Sequence, residues 1–483
     1  MLNLYTENKF RLTIAMNKEK ELAKNTAIIT FGKICTQLVS FLLLPLYTSI
    51  LNAEEYGTVD LIITYSTLLL PFVTLALEQA LFRFLIDIRN NHDLIRRYIS
   101  TTFCVTLSIL TIVELIVFLI YIRNKNMLLV YFGLVLFSCT ISSVALQIAR
   151  GLGDNLSYTL ASTMSAIGQV CCNVITLAVF RMGVIGMILS SFVGNMICGI
   201  IIFIRCNLKQ YIGILYFDKE IFSELCKYSL PLIPNQLSWW ALNASDKIIV
   251  QIFIGIAGNG LIAVANKFSG VYIQLSNIFN ISWTESVALC IHDDDAELFI
   301  SKTINSVYRL FLSMCCGIIV CMPFVFPIMI NKQYNEAYNL IPIFMMASLF
   351  NVVVSLYGVI YVAHKKTVEI AKTAIYAAML NVITHIVLIK FIGIYAAAFS
   401  TMIGYGGMAI YRYFHSRKYI IIKFNRNTIV SSAFIIIISL LSYYSENKFF
   451  QLLAFLVIAA SSCILNREFI LDAINLVINK IKK

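Results

Sequence analysis

The sequence predicts an all-α integral membrane protein with about 14 transmembrane helices. They are arranged as two six-helix bundles related by pseudo-two-fold symmetry, followed by two further helices. Three observations carry this. Hydrophobic residues make up 59% of the 483 and charged residues 13%, whereas a soluble chain carries about 25% charged residues. Apolar runs of about 20 residues recur along the whole chain, long enough to cross a bilayer. Lysine and arginine crowd onto alternate loops, as the positive-inside rule requires.

Residues 1–25 form a polar, basic segment with Lys9, Arg11, Lys18, Lys20 and Lys24. Met16 opens a run, MNKEKELAKN, that reads as a natural chain start, so Met1 and Met16 both stand as candidate starts. The first bundle occupies 26–205, with spans in windows 26–50, 58–84, 99–121, 127–149, 157–180 and 184–204. A charged cytoplasmic linker, 206–227, separates it from the second bundle, 228–414. There the windows are 229–253, 260–287, 306–329, 338–362, 369–389 and 393–413. Two additional spans lie within 428–465. The tail, 466–483, carries Phe469, Ala473, Val477 and Ile481 on one face and reads as an amphipathic surface helix. The basic clusters Arg89/Arg96/Arg97, Arg205/Lys209/Lys219/Lys227, Lys365/Lys366 and Arg412/Arg417/Lys418 fall on one side. That places both termini in the cytoplasm. This bias accounts for most of the +12 net charge, and no nucleic-acid partner is needed to explain it.

The two halves show weak self-similarity. LYTSILNAEEYGTVDLI in the first matches VQIFIGIAGNGLIAVAN in the second, each with a short turn before a glycine and a helix. In the second half, Gly255–Gly260 reads as that turn. Gly183-Val-Ile-Gly186 and Gly393-Ile-Tyr-Ala396 lead into the sixth span of each half.

Polar residues inside the spans form stripes at helical spacing. In span 1 these include Lys33 and Gln37; in span 7, Gln236, Asn243 and Lys247, with Asp246 nearby; in span 8, Lys267 and Gln274. Serine, threonine and asparagine alone serve as helix glue at about 0.6 kcal/mol per hydrogen bond. An amine at membrane depth costs about 2.5–3.5 kcal/mol on the insertion scale and points to a hydrated cavity. Lys247 and Lys267, with Lys33 opposite, read as a basic floor for an anionic group. Asp246 reads as a counter-charge, with Lys33 or Lys267 as its partner. Glu78 and Arg83, near the cytoplasmic end of span 2, read as interfacial or as gate or coupling residues. Glu114 in span 3 has no in-register partner and stands as a further gate or coupling candidate. The thirteen cysteines lie mostly in apolar runs without CxxC spacing, and neither a metal site nor a cofactor is expected.

Three stretches carry a resemblance: NTAIITFGKICTQLVSFLLLPLYTSILNAEEYGTVDL, IARGLGDNLSYTLAS, and SLPLIPNQLSWWALNASDKIIV with IGIAGNGLIAVANKFSGVY. Within the third, Leu230-Pro231, Asp246-Lys247-Ile248-Ile249, Gly260 and Asn266-Lys267 match the family pattern. Gly260-Leu261-Ile262 departs from its usual Gly-x-Tyr. The chain resembles the oligosaccharide flippases of the Wzx type, which serve O-antigen and capsule assembly. That family belongs to the multidrug/oligosaccharidyl-lipid/polysaccharide exporter superfamily. The resemblance implies a V-shaped pair of bundles in the bacterial cytoplasmic membrane. It also implies alternating access and a polyprenyl-pyrophosphate-linked oligosaccharide as substrate, with a polysaccharide polymerase and glycosyltransferases as functional partners.

Such cargo needs a protein. Moving one hydroxyl into hydrocarbon costs about 4–8 kcal/mol, so a repeat unit faces a barrier of many tens of kcal/mol as an upper bound. A cation-coupled multidrug exporter of the same superfamily is the alternative, favoured by Glu114 and Asp246. A membrane-embedded polymerase or ligase is a more distant one. No Walker A, HExxH or GxSxG motif is present, and the expectation is a transporter rather than an enzyme.

Overall fold

The computed structural model describes residues 41–291, 293–364, 366–422, 426–445, 447–467 and 471. Among these the chain is helical throughout and contains no strand. Nine of the described helices are long and apolar enough to cross a membrane by length and composition. The protein is therefore an all-α, multi-pass membrane protein. The described residues divide into two compact units. The first is Ile62–Gln236; the second is Leu44–Leu61 together with the chain from Leu237 onward.

Helix α1 (Leu44–Ile50) is followed by α2 (Ala53–Val73). Asn52 and Glu55 form a capping box: the Glu55 N–H donates to Asn52 Oδ1 at 2.8 Å and the Asn52 N–H to Glu55 Oε2 at 2.9 Å. Two of the helix's orphan donors are satisfied this way. The window 58–84, expected to be one span, is broken. Pro71 lies inside α2, and Thr74 Oγ1 donates to the Leu70 carbonyl at 2.9 Å while accepting from the Ala76 N–H at 3.1 Å. Leu75 and Ala76 then take left-handed angles, φ 51° and 52°, before α3 (Leu77–Ile88) begins. A proline cannot donate to the helix and clashes with the preceding turn, and the threonine hydroxyl offers the freed backbone another partner.

In the first unit, α3 packs against α4 (His92–Asn124) and α5 (Met127–Leu152). Leu77, Leu81, Leu85, Ile99, Val144 and Ile148 make one layer of the core; Val73, Leu110 and Leu136 make a second. Asn91 and Asn126 cap α4 and α5. Helix α6 (Asn155–Asn173) widens into a π-helical segment, Val174–Val179, and packs on α7 (Gly183–Arg205). The short α8 (Lys219–Ser229) follows a loop that is tied to the start of α4. Ser100 Oγ donates to the Tyr211 carbonyl at 2.5 Å, the Asp218 N–H donates to Thr101 Oγ1 at 3.0 Å, and Arg97 pairs with Asp218. Desolvation pushes the Asp218 carboxyl up, but the N–H groups of Ile221 and Glu220 and the Arg97 guanidinium outweigh it and hold it below its ordinary value.

The second unit is built around α12 (Asn335–Ala363), which packs against α10 (Ile256–Cys290), α11 (Ala296–Met329) and α14 (Tyr395–Ser416). Helix α13 (Thr367–Ile392) lies on α14, and α15 (Arg426–Tyr444) and α16 (Lys448–Leu465) lie on α11. Helix α9 (Ile233–Phe253) contributes Leu242 to a core with Val354, Ala377, Tyr405 and Met408. Buried polar groups find backbone partners, as burial demands: Tyr272 Oη donates to the Phe311 carbonyl at 3.0 Å, and Trp283 Nε1 to that of Leu356 at 3.3 Å.

Arg412, grouped above with the cytoplasmic cations, is instead 2% exposed. Its guanidinium donates to the Val354 carbonyl at 2.8 Å and to Thr373 Oγ1 at 2.8 Å. Gly358 leaves it room, since a Cβ there would lie 2.6 Å from Nη1. Gly183 and Gly393, at φ 57° and 56°, both take the positive φ that favours glycine, ahead of α7 and α14. The tail beyond 471 lies outside the described residues.

Candidate functional site

The site begins with two glycines in the second unit. Gly57 is the fifth residue of α2 and Gly260 the fifth of α10. A Cβ on Gly57 would collide with the Ile256 carbonyl, and one on Gly260 with the Ala53 carbonyl. The contact is reciprocal, first residue of each helix against fifth of the other. These are the glycines that the two self-similar stretches align. The turn before α10 is shorter than expected: Gly255, at φ 115°, closes it. Gly258 and Gly260 belong to the helix, where Gly260 permits backbone approach.

That approach buries Asn259 completely. Its Nδ2 donates to the Gly57 carbonyl at 3.1 Å and to Asp60 Oδ2 at 3.2 Å. Asp60, one turn beyond Gly57, receives Lys247 of α9: Nζ lies 3.0 Å from Oδ1 and 2.9 Å from Oδ2. The side chains of the pair are 18% and 22% exposed, so it is neither sealed nor on the surface. Asp246 is 4% exposed and its Oδ1 accepts from the Lys247 N–H at 3.0 Å. One turn earlier, Asn243 Oδ1 accepts from Tyr405 Oη at 2.6 Å, and Asn243 Nδ2 donates to the Trp239 carbonyl at 2.7 Å. Three helices thus converge on one half-buried ion pair.

This alters the sequence reading at several points. Lys247 is not a bare cation, because Asp60 holds it. Asp246 is engaged with its neighbour's backbone. Lys267, half-buried on α10, lies within electrostatic range of both Asp60 and Lys247. Gln274, two turns further along α10, is also half-buried. Gln236 is the last residue of the first unit. Lys33 and Gln37 lie outside the described residues.

Asp60, Asn259 and Tyr405 were missed. For Asp60 the available signal was a carboxylate inside an apolar run, three residues after a glycine.

The gate and coupling candidates separate within the first unit. Arg83 pairs with Asp87 on the surface at 2.6 Å. Glu78, expected near the interface, is 3% exposed because it sits in the first turn of α3, behind the break at Leu75-Ala76. Its Oε2 has no hydrogen-bond partner among the described residues. Glu114 lines a separate notch between α4 and α5.

The sequence profile of the family described as "Polysaccharide biosynthesis protein" matches residues 22–284. No curated protein matches the chain in sequence. Among solved structures, it is similar to the lipid II flippase MurJ in an inward closed conformation. The identity is 15% and the TM-score 0.68, over 93% of this chain and 99% of that one. It is also similar to a multidrug resistance MATE family transporter of the MOP superfamily. The inward-facing form gives 13% identity and TM-score 0.64, over 79% of this chain and 94% of that one. The outward-facing form gives 14% and 0.56, over 82% and 95%. At these identities the likeness is one of fold.

Proposed function

We propose, from the premise that this chain belongs to the polysaccharide biosynthesis protein family, that it is a flippase. Its cargo is an oligosaccharide repeat unit joined through pyrophosphate to a polyprenyl chain. It carries this from the inner to the outer leaflet of the bacterial cytoplasmic membrane by alternating access, for surface polysaccharide such as O-antigen or capsule. Both termini then face the cytoplasm, where glycosyltransferases build the cargo, and a polymerase consumes it on the other side.

The observation that carries this reading is the partly exposed Lys247–Asp60 pair. A paired amine can exchange one anion for another. In the resting state Asp60 neutralises Lys247. An arriving pyrophosphate displaces the carboxylate, and the amine then acts as a point charge for phosphate. Asp60 takes the counter-charge role first given to Asp246. Lys267 supplies a second cation, and the sequence reading adds Lys33, which lies outside the described residues. Asn243, Gln274, Gln236 and Gln37 offer hydrogen bonds that replace water around the sugar. Buried Glu78 suits a coupling role better than Arg83, whose charge is already spent on Asp87.

The test is Lys247→Met, alone and with Lys267→Met, in the strain that makes the polysaccharide. The double variant is expected to lower surface polysaccharide by about 100-fold, the scale of losing a charged contact of about 3 kcal/mol, with membrane levels unchanged. Normal polysaccharide at normal protein level would overturn the proposal.

A further inference from the structure

The hairpin of α4 and α5 contains a notch of about 240 Å³ whose floor is Glu114 and whose walls include Phe118, Tyr121, Gly133, Leu134 and Phe137. Glu114 Oε1 is buried and has no hydrogen-bond partner among the described residues. Gly133 faces the carboxylate: a Cβ there would lie 2.5 Å from Glu114 Oε2. A side chain at this position would push the carboxyl aside from where it now lies. The Phe118 and Tyr121 ring centroids are 6.4 Å apart, and Phe118 is 55% exposed, so the notch opens on the outer face of the hairpin. Elsewhere around the same helix Ile112, Leu115, Ile116 and Leu119 are exposed as well, apolar side chains that suit lipid.

Glu114 lies ten residues before the end of α4 at Asn124. At a rise of about 1.5 Å per residue that is about 15 Å from the turn, close to half the ~30 Å hydrocarbon thickness. Water does not reach that depth freely, and an isolated carboxylate there is costly. Among the described residues no lysine, arginine or histidine lines the notch. What completes it is a cation that arrives through the lipid. Aromatic walls add attraction for an ammonium group. The volume falls below the ~300–1,000 Å³ of sites that enclose drug-sized ligands, so it admits a head group whose apolar body stays outside.

We infer that this notch is a binding site for a membrane-soluble organic ammonium, held by Glu114 and the aromatic walls. It is built into the hairpin of the first unit and shares no residue with the Lys247–Asp60 site.

The experiment uses the full chain in dodecyl maltoside micelles and radiolabelled dodecyltrimethylammonium as the probe. Saturable binding is expected. Glu114→Gln keeps the shape and removes the charge; Gly133→Ala keeps the charge and displaces it. Each is expected to weaken binding about tenfold or more, the scale of a lost desolvated charge contact, while neutral dodecanol fails to compete. Unchanged binding in Glu114→Gln overturns the inference, because a merely apolar groove or a protonated carboxyl would survive that change. Equal competition by dodecanol overturns it too, as does loss in Asp60→Asn with Glu114→Gln unaffected.

Discussion

Asp60 and Lys247 show how a charged side chain persists inside an apolar helix cluster. Each satisfies the other, Asn259 supplies a further donor to the carboxylate, and the residual exposure keeps the desolvation cost below that of a sealed pair. Removing one partner of a fully buried pair costs about 3–5 kcal/mol. Here the solvent-accessible fifth reduces that to about 1–3 kcal/mol. Asp60→Asn is therefore expected to lower the melting temperature in detergent, and Asp60→Asn with Lys247→Met to recover most of it. A double-mutant cycle on the melting curves reads the coupling; simple additivity would show that the two do not interact. Arg412 makes the contrasting case. It is buried with no ion pair among the described residues, and carbonyl and hydroxyl oxygens take its donors.

At the scale of elements, the crossing of α2 and α10 depends on two hydrogen atoms, those that replace Cβ on Gly57 and Gly260. Substitution of either by alanine drives a methyl into a backbone carbonyl, which no rotamer change can relieve. Each variant is expected to cost about 1–3 kcal/mol, the range for overpacking a tight contact. The Asn259 bonds should loosen with it, because they span the same crossing. Hydrogen exchange at the first turns of α2 and α10 measures this: faster exchange in both helices from a single substitution is the expected outcome, and unchanged exchange would refute it. The break between α2 and α3 is a second device at this scale. Leu75 and Ala76 hold left-handed angles that cost L-residues about 1–2 kcal/mol each, and the packing of Leu77, Ala80 and Leu81 behind them offsets it.

For the whole molecule, a hydrated lumen predicts that single cysteines at Asn243 and Gln274, in a chain lacking its thirteen natural cysteines, react with a water-soluble maleimide. Labelling at least about 10-fold above that of a lipid-facing control such as Ile116 is expected, since water is scarce in the hydrocarbon. Equal protection of both positions in every state would count against the lumen. The class and most of the span windows were legible because hydropathy is a local property that a run of twenty residues declares by itself. The ion pair was not, because Lys247 and Asp60 are 187 positions apart and neither stretch identifies the other as its partner. The burial of Arg412 was hidden because a count of cations near loops says nothing of packing; α14 runs on to Ser416 and carries the side chain into the unit. The break at Leu75-Ala76 was hidden because neither residue is a helix breaker, and only Pro71 hinted at it.

The reciprocal crossing has a mechanical meaning. At Gly57 and Gly260 no side chain from either glycine interlocks with the other helix, so the contact resembles a fulcrum more than a bolt. Helix α10 continues thirty residues past Gly260 to Cys290, a lever arm of about 45 Å at 1.5 Å per residue. A tilt of about 10° at the fulcrum displaces the far end by about 8 Å on that arm, while Asn259, beside the pivot, moves by less than its own hydrogen-bond length. The polar contacts nearest the crossing can thus remain made while the opposite end of the same helix sweeps a distance comparable to a sugar ring.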